Sequence, residues 1–108
     1  MNNVYIMSAN RSAIGGFGGT LKNHCPVDLG TLVAKEAIER SGYEANEVEH
    51  AVFGNVIHTE PRDMYVSRVI ALQAGMDKAS AALTVNRLCG SGLQAIVSAS
   101  QIIMLGDA

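Results

Sequence analysis

Leu83-Thr84-Val85-Asn86-Arg87-Leu88-Cys89-Gly90-Ser91-Gly92-Leu93-Gln94-Ala95-Ile96 runs from a short apolar segment, through a junction bearing two glycines, into a stretch without charge until Asp107. The pattern is a buried strand end feeding a helix, the unit of open α/β sheets and the place where such sheets put their ligands. Cys89 lies in the junction. A thiol at a helix N-terminus faces backbone N–H groups without intrahelical partners and the positive end of the macrodipole, a setting suited to a nucleophile. Gly90 and Gly92 carry no side chains beside the sulfur, so a substrate or another backbone can approach closely. A free cysteine also serves as a small buried hydrophobe, and position alone leaves the two roles equally open.

Upstream, Val4-Tyr5-Ile6-Met7 is an apolar run suited to a buried strand, and it empties into the loop Gly15-Gly16-Phe17-Gly18-Gly19. A dinucleotide fingerprint needs G-x-G-x-x-G opening directly into a helix. Here Gly19-Thr20-Leu21 follows and the next helix waits until Asp28, so no dinucleotide site is expected. Asp28 is placed to cap a helix running to Arg40 or Ser41, with Leu29, Leu32, Val33, Ala37 and Ile38 on one face and Lys35, Glu36, Glu39 and Arg40 opposite. Gly42 ends it. Glu49 to Ile57 reads as a strand around Ala51-Val52-Phe53, followed by a helix from about Met64 to Ala74 that Gly75 stops. Ala82 to Val85 is the third strand and Gly90 to Leu105 the third helix. The order βαβαβα predicts an α/β fold with a parallel sheet and right-handed crossovers. The last helix is apolar around nearly its whole circumference and asks for burial on every side, more than three strands supply; the chain is therefore expected to be the beginning of a larger protein.

Composition narrows the function classes. With 48% hydrophobic and 17% charged residues among 108, the chain is folded material rather than disordered. A net charge of −2, with basic residues scattered from Arg11 to Arg87, gives no footprint for nucleic acid. Cys25 and Cys89 lack CxxC spacing and His24, His50 and His58 make no ligand pattern with them, so neither a metal nor a resident cofactor is expected. Leu88 to Gly106 nominally reaches the length of a membrane span. Gln94, Ser98, Ser100 and Gln101 interrupt it and no aromatic or basic anchors flank it, which favours a helix buried inside a soluble protein. Met1-Asn2-Asn3-Val4-Tyr5 resembles neither a signal nor a transit peptide, and the expected location is the cytoplasm, with reduced thiols.

Other candidate site residues are read as ordinary. His24 falls in a loop, His50 at a strand start and His58 at a strand exit. Cys25, beside His24 and Pro26, lacks the strand-to-helix setting of Cys89 and is read as an incidental loop residue. Ser91 fails the nucleophile-elbow pattern G-x-S-x-G, because Cys89 and Leu93 stand where glycines are required. Met64 and Tyr65 suit a substrate or subunit surface, but an apolar helix start is read as core.

Arg11-Ser12-Ala13-Ile14-Gly15 with Phe17-Gly18-Gly19, Asp28-Leu29-Gly30, Val52-Phe53-Gly54-Asn55-Val56 and, above all, Asn86-Arg87-Leu88-Cys89-Gly90-Ser91-Gly92-Leu93 resemble the thiolase family along the whole chain. Thr59-Glu60-Pro61-Arg62-Asp63-Met64-Tyr65 together with Asn86-Arg87-Leu88-Cys89 is most similar to the bacterial β-ketothiolase branch. The resemblance implies a thiolase-like layered fold, with residues 1–108 an incomplete N-terminal portion of its N-terminal domain. It also implies reversible Claisen condensation and thiolytic cleavage of 3-ketoacyl-CoA, with Cys89 as the acyl carrier and coenzyme A thioesters as substrates. A thiol suits the task because it is both a nucleophile and a fair leaving group. The Cys89 N–H is the local oxyanion donor that the resemblance implies.

The family's two catalytic histidines, in Asn-Glu-Ala and Gly-His-Pro contexts, and its second cysteine have no counterpart here, so the fragment alone is expected to be inactive. Homodimers or homotetramers are implied, and an exposed edge strand at Ala82 to Val85 suits pairing across a two-fold axis. Three other readings stay open: a non-catalytic truncated domain that acts by packing with a partner chain, a thiol-redox protein, and a ketoacyl synthase-like condensing enzyme.

Overall fold

Two five-residue strands, paired in parallel, organise the chain. The computed structural model describes Met1–Ala108, and its elements in chain order are α1 (Pro26–Ser41), β1 (His50–Gly54), α2 (Val66–Gln73), β2 (Ala81–Val85) and α3 (Ser91–Leu105). Short 3₁₀ turns occupy Ala45–Glu47 and Pro61–Tyr65. Parallel neighbours require a crossover, and α2 supplies it between β1 and β2. The strand period of two then assigns the faces. Ala51 and Phe53 turn toward α2, where Ala71, Met76, Val66 and Ile70 complete two small apolar clusters. Val52 and Gly54 line the side that α3 covers.

Ser67, in the first turn of α2, fastens that helix to both strands. Its buried hydroxyl accepts the Phe53 N–H at 3.1 Å and donates to the Leu83 carbonyl at 2.7 Å, and the Thr84 hydroxyl donates to it at 2.9 Å. The Thr84 oxygen in turn accepts the Ser67 N–H at 3.3 Å. Arg68 extends the fastening by donating to the carbonyls of Ser80 and Lys78 ahead of β2. On its other side α2 packs against α1, where Val27 is fully buried and Gly30 lies so close to Ile70 that a Cβ would overlap its Cδ1.

Several expectations need correction. Val4–Met7 is not a strand: its backbone makes no hydrogen bond to another segment, and an open groove of about 500 Å³ separates Val4–Ile6 from Val52–Gly54 and α3. A strand is defined by a neighbouring ladder, and apolar sequence does not supply one. The segment is tied instead by side chains: Asn2 donates to the Ile103 carbonyl, Ser8 to Ala37 and Asn10 to Val33. The sheet therefore has two strands rather than three.

Helix α1 begins earlier than Asp28, because Pro26 has its φ preset for a first helical position and lacks the N–H that would go unpaired there. Cys25 is the N-cap and Asp28 sits in the first turn. Met64 and Tyr65 lie in the 3₁₀ turn before α2 and are exposed, not core. Helix α3 is buried only along the stripe facing β1, so that Leu93, Ile96 and Leu105 are exposed at 70%, 56% and 77%. A two-stranded sheet covers one side of a helix and no more.

Ser67→Ala removes a buried hydroxyl's bonds to Phe53, Leu83 and Thr84 and is expected to lower the unfolding free energy by about 1–3 kcal/mol. Gly30→Ala is expected to cost about 1–3 kcal/mol, because the buried Ile70 side chain must shift to admit the methyl group. Denaturant titration of each variant measures both.

Candidate active site

Strand β2 ends at Val85 and α3 begins at Ser91, and the residues between are held by side chains from both ends. Asn86 Oδ1 accepts the Leu88 N–H at 3.0 Å, while its amide nitrogen donates at 3.4 Å to the carbonyl of Val56, just past β1. The Leu88 carbonyl accepts the Ser91 hydroxyl at 2.7 Å and the Ser91 N–H at 3.1 Å. The Ser91 oxygen also accepts the Arg87 N–H at 2.8 Å, and the Gly90 N–H closes the turn on the Arg87 carbonyl at 3.0 Å. Leu88, with both backbone polar groups engaged, adopts φ 48°. A positive φ costs a leucine of order 1–3 kcal/mol and persists only where its surroundings impose it.

Gly54 makes this arrangement sterically possible. A Cβ there would stand 2.7–2.8 Å from the carbonyl carbon, the Cβ and the oxygen of Ser91. The end of β1 thus touches the first residue of α3 directly, with backbone rather than a flexible side chain on the receiving side.

Cys89 is exposed at the centre of the turn. It lies one residue before the N-cap, Gly90, rather than in the first helical turn. Its N–H meets no acceptor within the chain, and there is open space where a Gly92 side chain would be. An accessible thiol and an unpaired N–H on the same residue suit attack on a carbonyl whose oxygen needs a donor as it gains charge. The apolar groove beside Val4–Ile6 is separate: Gly92 reaches it but Cys89 is not among its walls.

None of the three histidines joins the turn. His24 is exposed ahead of α1 and His58 is exposed beyond β1; His50 opens β1 with its Nδ1 buried and unpaired. Cys25 is more than an incidental loop residue, since as the half-buried N-cap of α1 it lies 3.8 Å from the Arg62 guanidinium. Arg62 also pairs with Glu60 at 3.1 Å, whose charge holds the guanidinium above its ordinary pKa. No set of three His, Cys, Asp or Glu side chains is placed to hold a metal ion.

Sequence reasoning missed four of the residues that shape the site. Asp63 is fully buried; its Oδ2 accepts the Thr59 N–H at 2.7 Å, the Thr59 hydroxyl at 2.8 Å and the Glu60 N–H at 3.1 Å. Asn55 donates to the Asp63 backbone carbonyl at 3.1 Å, which ties this loop to the end of β1. The bond from the Thr59 N–H leads in holding the carboxyl below the usual aspartate range, against the opposing effect of burial. An aspartate at a helical start with Thr four residues before it is a legible local signal. Asn86, two residues before Leu88, also has the spacing of a side-chain turn. Gly54 leaves no such mark, because its role depends on β1 meeting α3.

A family model described as the N-terminal domain of thiolase matches residues 4–108. The beta-ketothiolase BktB of Cupriavidus necator is 59% identical over 104 residues, which are 96% of this chain and 26% of that protein. Among solved structures, the acetyl-CoA acetyltransferase of Bacillus anthracis superimposes with a TM-score of 0.89 at 42% identity, over 95% of this chain and 26% of that one. The Acat5 thiolase of Ascaris suum, in complex with coenzyme A, does so with a TM-score of 0.89 at 36% identity, over 94% and 26%. The chain spans about a quarter of the length of these relatives.

Because its folded pKa is lowered, Asp63 contributes stability that is present above the ordinary aspartate pKa and is lost as pH falls toward the lowered value. Denaturation midpoints followed from about pH 5 down to about pH 2 are expected to fall less steeply for Asp63→Asn than for the wild type. Gly54→Ala is expected to lower the unfolding free energy by about 1–3 kcal/mol, since backbone must move to admit the methyl group; thermal melts read this.

Proposed function

The chain belongs to the thiolase family through that family's N-terminal domain, and from this premise we propose that the protein transfers acyl groups between coenzyme A thioesters by way of an acyl-Cys89 intermediate. One observation carries the reading: Cys89 is exposed in a turn whose backbone is fixed from both ends and whose own N–H is unpaired.

In the cleavage direction, the Cys89 sulfur attacks the 3-keto carbon of a 3-ketoacyl-CoA and the carbonyl π electrons move onto oxygen. That oxyanion is received by the Cys89 N–H. Collapse re-forms the carbonyl and breaks the bond between C2 and C3. The electron pair leaves on C2, which takes up a proton to give acetyl-CoA. The acyl group stays on sulfur until the thiol of a second coenzyme A removes it. In the synthetic direction Cys89 carries an acetyl group, and the carbanion of a second acetyl-CoA attacks it.

The acid and base for these proton transfers are assigned to the additional length that the relatives have, because no histidine of this chain stands at the turn. Coenzyme A thioesters are proposed as substrates on the strength of the names of the relatives and of the coenzyme A bound in the Ascaris suum enzyme. We further propose a cytoplasmic homo-oligomer that pairs along the edge of β2, its solution mass being the check.

The exposed apolar face of α3 favours a second reading, in which the domain acts only by packing against a partner chain. Incubation with acetyl-CoA followed by intact mass and peptide mapping separates the two. Acyl transfer predicts one acetyl group on Cys89, absent from Cys89→Ser and retained in Cys25→Ser. The experiment is done on the protein at the full length of its relatives, where an unmodified Cys89 would sink the acyl-transfer reading.

A further inference from the structure

We propose that Ser91 is a positioning residue for acyl transfer, acting through the Leu88–Cys89 peptide to aim the Cys89 N–H at the developing oxyanion. The proposal rests on the acyl-transfer role assigned to Cys89 and adds a residue whose hydroxyl touches no substrate.

The Leu88 carbonyl and the Cys89 N–H belong to one trans peptide unit, so they point in opposite directions and rotate together. Whatever holds the carbonyl therefore sets the direction of the N–H. The carbonyl is held by Ser91 twice, through the hydroxyl at 2.7 Å and the backbone N–H at 3.1 Å, which draws it toward the start of α3. The Cys89 N–H is thereby turned away from the helix start, where no group of the chain accepts it.

The restoring force behind this geometry is the positive φ of Leu88. Left alone, a leucine relaxes toward negative φ and carries its carbonyl, and hence the next N–H, to another direction. The Ser91 hydroxyl opposes that relaxation from both sides of Leu88, accepting from the Arg87 N–H at 2.8 Å and donating to the Leu88 carbonyl. Its proton and an oxygen lone pair are thus engaged by backbone, and the residue is 5% exposed, so it is not itself a nucleophile. Contact with Gly54 keeps Ser91 in place beneath the turn.

The test exploits a difference between two reactions of the same sulfur. Acetyl transfer from acetyl-CoA passes through a tetrahedral oxyanion before coenzyme A thiolate leaves, and needs the donor; alkylation by iodoacetamide displaces iodide at a saturated carbon and does not. Both rates are measured at Cys89 in the wild type, Ser91→Ala, Leu88→Gly and the Leu88→Gly/Ser91→Ala double variant, with circular dichroism as the check on folding.

Ser91→Ala is expected to slow acetyl transfer by about tenfold or more, short of the roughly 100- to 1,000-fold cost of removing an oxyanion donor outright, while alkylation is unchanged. In the Leu88→Gly background the same substitution is expected to have a smaller effect, because glycine adopts a positive φ without the steric strain that the clamp opposes. Should Ser91→Ala fail to fold, Ser91→Gly decides by the same two rates: slower acetyl transfer with unchanged alkylation supports the role, and unchanged acetyl transfer overturns it. Unchanged acetyl transfer in Ser91→Ala, an equal loss in both reactions, or a full loss persisting in the glycine background would each overturn it. At the full length of the relatives, a wild-type protein that alkylates at Cys89 but never acetylates would instead overturn the acyl-transfer reading.

Discussion

The parallel register of β1 and β2 is the constraint from which the rest follows. With Gly54 opposite Val85, the two strands end together, and the segments leaving them run side by side. Asn55 continues the ladder by donating its N–H to the Val85 carbonyl at 3.0 Å, and Asn86 reaches back to Val56. A slip of one residue would turn Ala51 and Phe53 away from α2 and Gly54 away from Ser91. Core and site therefore share one alignment, and Ser67, bound to Phe53, Leu83 and Thr84 at once, is the side chain that holds it.

Much of this was legible in the chain, and what was legible is local. The end of α1 was marked by Gly42, left-handed in the structure at φ 79°, and the apolar run Ala51-Val52-Phe53 marked β1. Cys89 stood out because a polar, glycine-bearing break between an apolar strand and an uncharged helix is visible in sequence. The errors occurred where the outcome depends on partners distant in the chain. Val4–Met7 has the composition of a strand and no ladder to join; Leu93 and Ile96 have the composition of a core and lie outside the contact that α3 makes with β1. The role of Gly54 was hidden for the same reason, being a close approach to Ser91, far away in sequence.

Helix α3 joins two demands that pull on its sequence differently. Its body is apolar and meets β1 along one stripe through Ala95 and its neighbours, where burial supplies the stabilisation. Its first turn is built from small residues, Gly90, Ser91 and Gly92, and stabilises the preceding turn through hydrogen bonds rather than burial. The polar junction is thus carried on an apolar anchor: α3 is held against the sheet by its later turns, and the held helix presents Ser91 to Leu88.

The turn at Cys89 also links chemical competence to the order of assembly. The bonds around Arg87–Ser91 are local, but the Gly54 contact and the Asn86 bond to Val56 exist only after β1 and β2 have paired across the α2 crossover. Closing that long loop precedes the reward of the contacts it brings together. Before the sheet forms, only the local bonds act on Leu88, without the Gly54 contact that seats Ser91, and the direction of the Cys89 N–H is less firmly held. An unfolded or half-folded chain therefore displays the same thiol beside an N–H that the fold has not yet fixed, and the two reach one arrangement only when the sheet is finished.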